Sequence, residues 1–157
     1  MRIVLVEPEI PQNTGSVARL AAATRTPLDL VRPLGFSLED RYLKRAGLDY
    51  WPLVDLTVHE SWAQYLARPA AGRMLAFSAR GHRPYTDCRF EGDDRLFFGR
   101  ETKGLGADRL VLFGEHVYTI PIDEPGVRSL NLAQAVAIVV YEARRQLAIR
   151  TETDPGR

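Results

Sequence analysis

Residues Arg2–Thr24 read RIVLVEPEIPQNTGSVARLAAAT, and this stretch sets the fold class. Arg2–Glu7 is a short apolar run with the length of a strand. A loop with two prolines follows. Thr14–Thr24 then places Val17, Leu20, Ala21 and Thr24 at helical spacing. A strand that passes through a loop into a helix is the repeating unit of α/β folds. The alternation continues along the chain. Leu28–Val31, Leu53–Val58, Arg73–Ser78, Arg95–Gly99 and Val117–Ile122 read as strands. Leu38–Ala46, Glu60–Ala67, Ala107–Leu112 and the long Leu130–Leu147 read as helices. The expected architecture is a mostly parallel sheet with helices on both faces. No internal repeat or linker interrupts it, so residues 1–150 form one expected domain and 151–157 a disordered polar tail. Ligands of such sheets bind beyond the carboxyl ends of the strands. That directs attention to the loops after Glu7, Ser78, Gly99 and Ile122.

Composition narrows the class. The chain has 157 residues, 45% of them hydrophobic and 26% charged, ordinary globular values. Its single cysteine, Cys88, has no internal disulfide partner and excludes a cysteine-based zinc cluster. No apolar run approaches the roughly 18–20 residues that span a bilayer. Met1–Val6 leads directly into a strand with no signal-peptide pattern, so a cytoplasmic location is expected. The net charge is +1, which gives no global footprint for nucleic acid. The basic set is nonetheless lopsided: Lys44 and Lys103 are the only lysines, and 19 of the 21 cations are arginine. Arginine suits phosphate forks and base stacking, although codon bias produces the same excess.

Several familiar motifs fail. Gly99–Gly104 resembles a phosphate-binding loop, but Leu105 stands where that motif needs lysine. Gly104-Leu-Gly106 has no third glycine. No G-x-S-x-G elbow occurs. His59, His82 and His116 show no ligand spacing, and Cys88 has no neighbouring base in sequence. No metal site is expected.

Three segments stand out. Pro8–Arg19 joins strand to helix, with Asn13 or Thr14 as the expected cap and Arg19 on an otherwise apolar helix. Leu96–Gly106 ends a buried strand in a loop with three glycines and one acid, Glu101. Tyr118–Asn131 precedes the long helix, with Ser129 as the expected cap. That helix is apolar nearly all round and should be buried. Asn131, Gln134, Ile138 and Tyr141 fall on one stripe of it, which suits a polar site, a subunit contact or an internal hydrogen-bond network.

In order and spacing these segments resemble the three motifs of the SPOUT RNA methyltransferases. Asn13–Arg19 is similar to the first motif, Phe98–Gly104 to the second, and Ile120–Asn131 with its helix to the third. Glu7–Gly15, Arg45–Tyr50, Ser129–Leu132 and Val140–Gln146 resemble the short family that 2′-O-methylates the wobble nucleotide of tRNA. The resemblance covers about residues 1–147. It departs at Gln12, Arg100 and Gly106, positions that affect loop rigidity.

The resemblance implies an α/β fold with a carboxyl-terminal trefoil knot, S-adenosylmethionine as methyl donor, S-adenosylhomocysteine as product, and no metal. It implies cofactor contacts at Phe77, Gly99, Ile120, Ser129 and Leu130. It makes Arg19 the catalytic residue, organising a substrate phosphate and the ribose hydroxyl, with Asn13, Glu101 and Asn131 holding the arrangement. A catalytic domain with no amino-terminal RNA-binding domain is expected to grip tRNA as a homodimer. It should involve neither membrane nor DNA. Arg80 and Arg83, in a loop that mixes arginines with aromatics, and Tyr141 are the expected RNA contacts. The competing readings are a ribose methyltransferase acting on ribosomal RNA and a catalytically silent RNA-binding module of the same fold.

Overall fold

The computed structural model describes residues 1–39 and 50–153. Seven strands form one sheet: β1 (Arg2–Val6), β2 (Leu28–Val31), β3 (Leu56–His59), β4 (Met74–Phe77), β5 (Arg83–Pro84), β6 (Arg95–Phe98) and β7 (Val117–Thr119). Their order is β3-β2-β1-β6-β4-β7-β5, and every pairing is parallel. The helices are α1 (Pro11–Thr24), α2 (Trp62–Ala67), α3 (Ala107–Leu110) and α4 (Leu132–Thr153).

The apolar strands are continuous because both sheet faces are covered. Ile3, Leu5, Leu28, Leu30, Leu75, Leu96 and Phe98 point to one face, where Val17, Ala18 and Ala21 of α1 and Val136, Val139 and Val140 of α4 pack on them. Val4, Val6, Val31, Ala76 and Phe97 point to the other and meet Tyr65, Leu105 and Phe113. Phe97 lies edge-on to Trp62, Tyr65 and Phe113, with centroids 5.8, 5.5 and 5.1 Å away.

Several boundaries differ from expectation for local reasons. Helix α1 starts at Pro11, not Thr14, because proline at the first helical position gives up no hydrogen bond. Ile10 is its cap residue and supplies no side-chain bond, so neither Asn13 nor Thr14 caps it. Helix α4 starts at Leu132, not Leu130, and Asn131 rather than Ser129 provides the cap. Its Oδ1 accepts from Ala133 N at 2.9 Å and Gln134 N at 3.3 Å. The helix is also not buried all round: Asn131, Gln134 and Tyr141 are exposed and Ile138 is half-buried. It runs on through Thr153, into the expected tail; residues 154–157 lie outside those described. Strand β7 stops at Thr119, two residues before Pro121. The expected strand from Leu53 is a 3-10 turn at Trp51–Leu53 followed by β3. The expected loop Arg80–Phe90 contains β5, paired with β7. Of the expected helix 38–46 and the stretch 45–50, residues 40–49 lie outside those described.

Candidate active site

Parallel strands send their carboxyl ends to one rim of the sheet. There the loops after β4, β6 and β7, together with the start of α1, enclose a cleft of about 490 Å³. Ligand pockets fall in the range of roughly 300–1,000 Å³. Phe77, Ile120, Ile122, Leu130, Leu132 and Ala135 supply apolar walls. Phe77 is itself stacked on Phe98, Phe90 and Tyr118, with centroids 5.3, 6.2 and 5.9 Å away.

The loop after β6 folds back on itself. Arg100 N donates to Gly104 O at 3.1 Å, and Gly104 N donates to Arg100 O at 2.8 Å. A side chain at Gly99 would come within 2.1 Å of Gly104 carbonyl carbon, so only glycine allows this closure. Gly104 itself has φ of +63°, and the space over its Cα is open. Apolar walls beside exposed peptide groups suit a flat base and its sugar, so these residues fit the nucleoside-bearing methyl donor that the resemblance implies.

Asn13, Glu101 and Asn131 form one directional chain across this rim. The Glu101 carboxylate accepts from Glu9 N (2.8 Å), Ile10 N (3.2 Å) and Asn13 Nδ2 (3.1 Å). Asn13 Oδ1 accepts from Asn131 Nδ2 at 2.8 Å. Asn131 Oδ1 then caps α4. A carboxylate only accepts and helix N–H groups only donate, so the two ends fix the orientation of both amides between them. Residues 88 and 118 positions apart from Asn13 are thereby locked together.

Two further acids brace the same loops. Glu7 ends β1 at φ of 53° and is buried. Its carboxylate pairs with Arg100 Nη2 at 3.1 Å and with Arg109. Arg109 also lies over the Trp62 ring at 5.4 Å. Glu9 accepts from Thr102 N at 2.9 Å and from Thr102 Oγ1. The Thr102 N–H holds the Glu9 carboxyl below its usual range, helped by the Thr102 hydroxyl and the charges of Arg100 and Lys103.

The structure brings Asn13, Glu101, Asn131, Phe77, Gly99, Ile120, Ser129, Leu130 and Arg80 together in the cleft lining. It does not bring Arg19, Arg83 or Tyr141 there. Arg19 is exposed on α1, with its guanidinium 5.0 Å from the Tyr50 ring centre. Arg83 lies on the sheet edge, over the Tyr118 ring at 5.2 Å. Tyr141 is 57% exposed on α4. Sequence reasoning missed Glu7 and Glu9 as braces, although both flank Pro8 in the Glu7–Gly15 stretch that carries the resemblance. It also missed Lys103 and Arg128, which line the cleft. Cys88 is buried at a distance in the core, and that burial pushes its thiol up to about 11. Glu91, Asp93 and Asp94 bring three carboxylates together, but Asp94 is held by Arg73 at 2.8 Å and by Glu91 N at 2.7 Å. No helix among the described residues is long and apolar enough to cross a membrane.

A parallel sheet with a nucleoside-sized cleft at its carboxyl rim, lined from three sequence-distant segments, defines an α/β protein that binds a small ligand at the strand ends. The chain belongs to the SpoU rRNA methylase family, whose profile matches residues 1–141. It is 49% identical over 147 residues to a tRNA (cytidine(34)-2′-O)-methyltransferase of Polaromonas, covering 92% of this chain and 89% of that one. A structure described as giving insight into 2-OH methylation of C/U34 on tRNA superposes with a TM-score of 0.89 at 53% identity, covering 94% and 95% of the two chains. An AdoMet-bound rRNA methyltransferase from Sinorhizobium meliloti shares the fold, with a TM-score of 0.82 at 24% identity over 93% of this chain and 56% of that one.

Proposed function

We propose that this protein transfers the methyl group of S-adenosylmethionine to the ribose 2′-hydroxyl of the wobble nucleotide in tRNA. The observation that carries this is the meeting of Asn13, Glu101 and Asn131 on the rim of one cleft, in a chain close in sequence to enzymes of that name. When bound, the cofactor supplies an electrophilic methyl on sulfur. The chain's part is then to hold the acceptor in line and to ease loss of its proton. Phe77, Gly99, Ile120, Ser129 and Leu130 would hold the cofactor through apolar contact and peptide groups.

Glu101 already accepts three N–H groups, so it braces the loops and is poorly placed to take a proton. Arg19 acts by orienting a substrate phosphate against the hydroxyl, since a guanidinium offers only donors. In a single chain Arg19 stands outside the cleft, so this role requires an assembly. The proposed homodimer supplies one. The knotted carboxyl-terminal path belongs to the same proposal.

The test is incubation with labelled S-adenosylmethionine and tRNA from cells lacking this protein, followed by mass spectrometry. One 2′-O-methyl at nucleotide 34 is expected. Its absence overturns the assignment. Arg19→Ala should abolish transfer and leave S-adenosylhomocysteine affinity within about twofold; full activity would remove Arg19 from the mechanism.

A further inference from the structure

Part of the charge that lines the cleft has no place in the network described above. Among the described residues, five charged side chains line the cleft: Arg80, Arg100, Glu101, Lys103 and Arg128. Two are committed to the protein. Arg100 is paired with Glu7, and Glu101 is saturated by Glu9 N, Ile10 N and Asn13. The other three are cations, all exposed. Among the described residues none of the three forms a side-chain hydrogen bond or ion pair; Lys103 feels only the nearby Glu9 charge. They come from three separate loops, after β4, β6 and β7. The whole chain carries only +1, so overall charge does not by itself draw a polyanion to the protein.

We propose that Lys103 and Arg128, with Arg80, form a three-point clamp for the phosphodiester backbone of the acceptor RNA on either side of the target ribose. This deepens the function proposed above and rests on it. The cofactor does not account for the three cations. It carries one carboxylate beside its own ammonium, whereas these three cations come from three separate loops. They are also solvent-exposed at the mouth rather than buried among the apolar walls. Phosphates that stay half in water match such a site, and contacts of this kind fix position without reading sequence. Three cations confined to one cleft suit a single strand more than a broad duplex face.

The test is the Lys103→Gln/Arg128→Gln double variant in the full chain. Fluorescence anisotropy with labelled tRNA measures Kd against KCl concentration. Each phosphate contact to a single strand contributes about 0.7 to the salt slope, so the double variant should lose about 1.4. The KM for tRNA should rise about tenfold or more. The Kd for S-adenosylhomocysteine should stay within about twofold, and Tm should not fall, because neither side chain has a partner to lose. Arg68→Gln, an exposed cation at the end of α2 outside the cleft, controls for bulk charge and should leave the slope unchanged. An unchanged slope and KM in the double variant overturns the clamp. So does a parallel loss of S-adenosylhomocysteine affinity, which would assign these cations to the cofactor. Failure of the wild type to methylate nucleotide 34 would instead strike the functional assignment, since the slope is read from binding alone.

Discussion

Asn13→Asp tests whether the chain of amides is as directional as its ends require. The substitution changes one NH2 group to oxygen at nearly constant volume. It places a carboxylate oxygen where Nδ2 now lies, 3.1 Å from Glu101 Oε1. Two unit charges at that distance repel by about 5 kcal/mol at an effective dielectric constant of about 20. Solvent at the half-buried Glu101 reduces this. A second limit is set by protonation, because the pair escapes repulsion by sharing a proton. For a carboxyl with ordinary pKa near 4, that escape costs about 4 kcal/mol at pH 7 and about 1 kcal/mol at pH 5. The expected destabilisation is therefore about 3–4 kcal/mol at pH 7, shrinking to about 1 kcal/mol at pH 5. The sign follows from linkage: the pair's folded pKa is raised, so stability is intact below the unfolded pKa and falls as pH rises toward the folded one. Urea unfolding of both proteins at several pH values, with m unchanged, measures it. A loss below about 1 kcal/mol at pH 7, or one independent of pH, would refute the orientation assigned to these amides.

Three other outcomes are expected. Gly99→Ala forces a methyl into the Gly104 backbone and should lower Tm sharply and abolish S-adenosylhomocysteine binding, whereas Gly104→Ala meets open space and should cost only about 1–2 kcal/mol for its positive φ; calorimetry on both variants separates close approach from backbone conformation. The Cys88 thiol, buried and pushed up to about 11, should resist disulfide-exchange reagents at pH 8 and react fully once the chain is unfolded. Glu9 is held below the usual carboxylate range, so its contribution is present above the unfolded pKa of about 4.5 and is lost as pH falls through the folded value; the stability gap between wild type and Glu9→Gln should close on acidification, and a gap constant from pH 7 to about pH 3 would contradict this.

Much of the fold was legible because the strands are buried on both sides. Their unbroken apolar runs and the helical spacing of Val17, Leu20 and Ala21 survive any tertiary context. The boundaries were not, because competing local chemistry decided them. Pro11 opened α1 a turn early, and Asn131 out-competed Ser129 for the cap. Moving both boundaries changed what the site residues do. Asn13, freed from capping, became the middle of a network whose other members lie 88 and 118 residues away, distances no periodicity encodes. The cleft lining was legible only through the strand ends and the resemblance of the three motifs. Arg19 shows the limit. Its helix position was clear, but which cleft, if any, a surface arginine faces is a property of packing.

The Asn13–Glu101–Asn131 chain also sets when the rim of the cleft can first close during synthesis. Ribosomes deliver sequence in order, and Asn13 emerges long before either partner. Its first tie forms only after 88 further residues and its second after 118. Until then the two ties across the rim of the cleft cannot form. Contacts of such long sequence separation also slow folding, since loop closure must precede their reward. A growing polypeptide completes this rim only near the end of its own synthesis, once Asn131 of the 157 residues has been made.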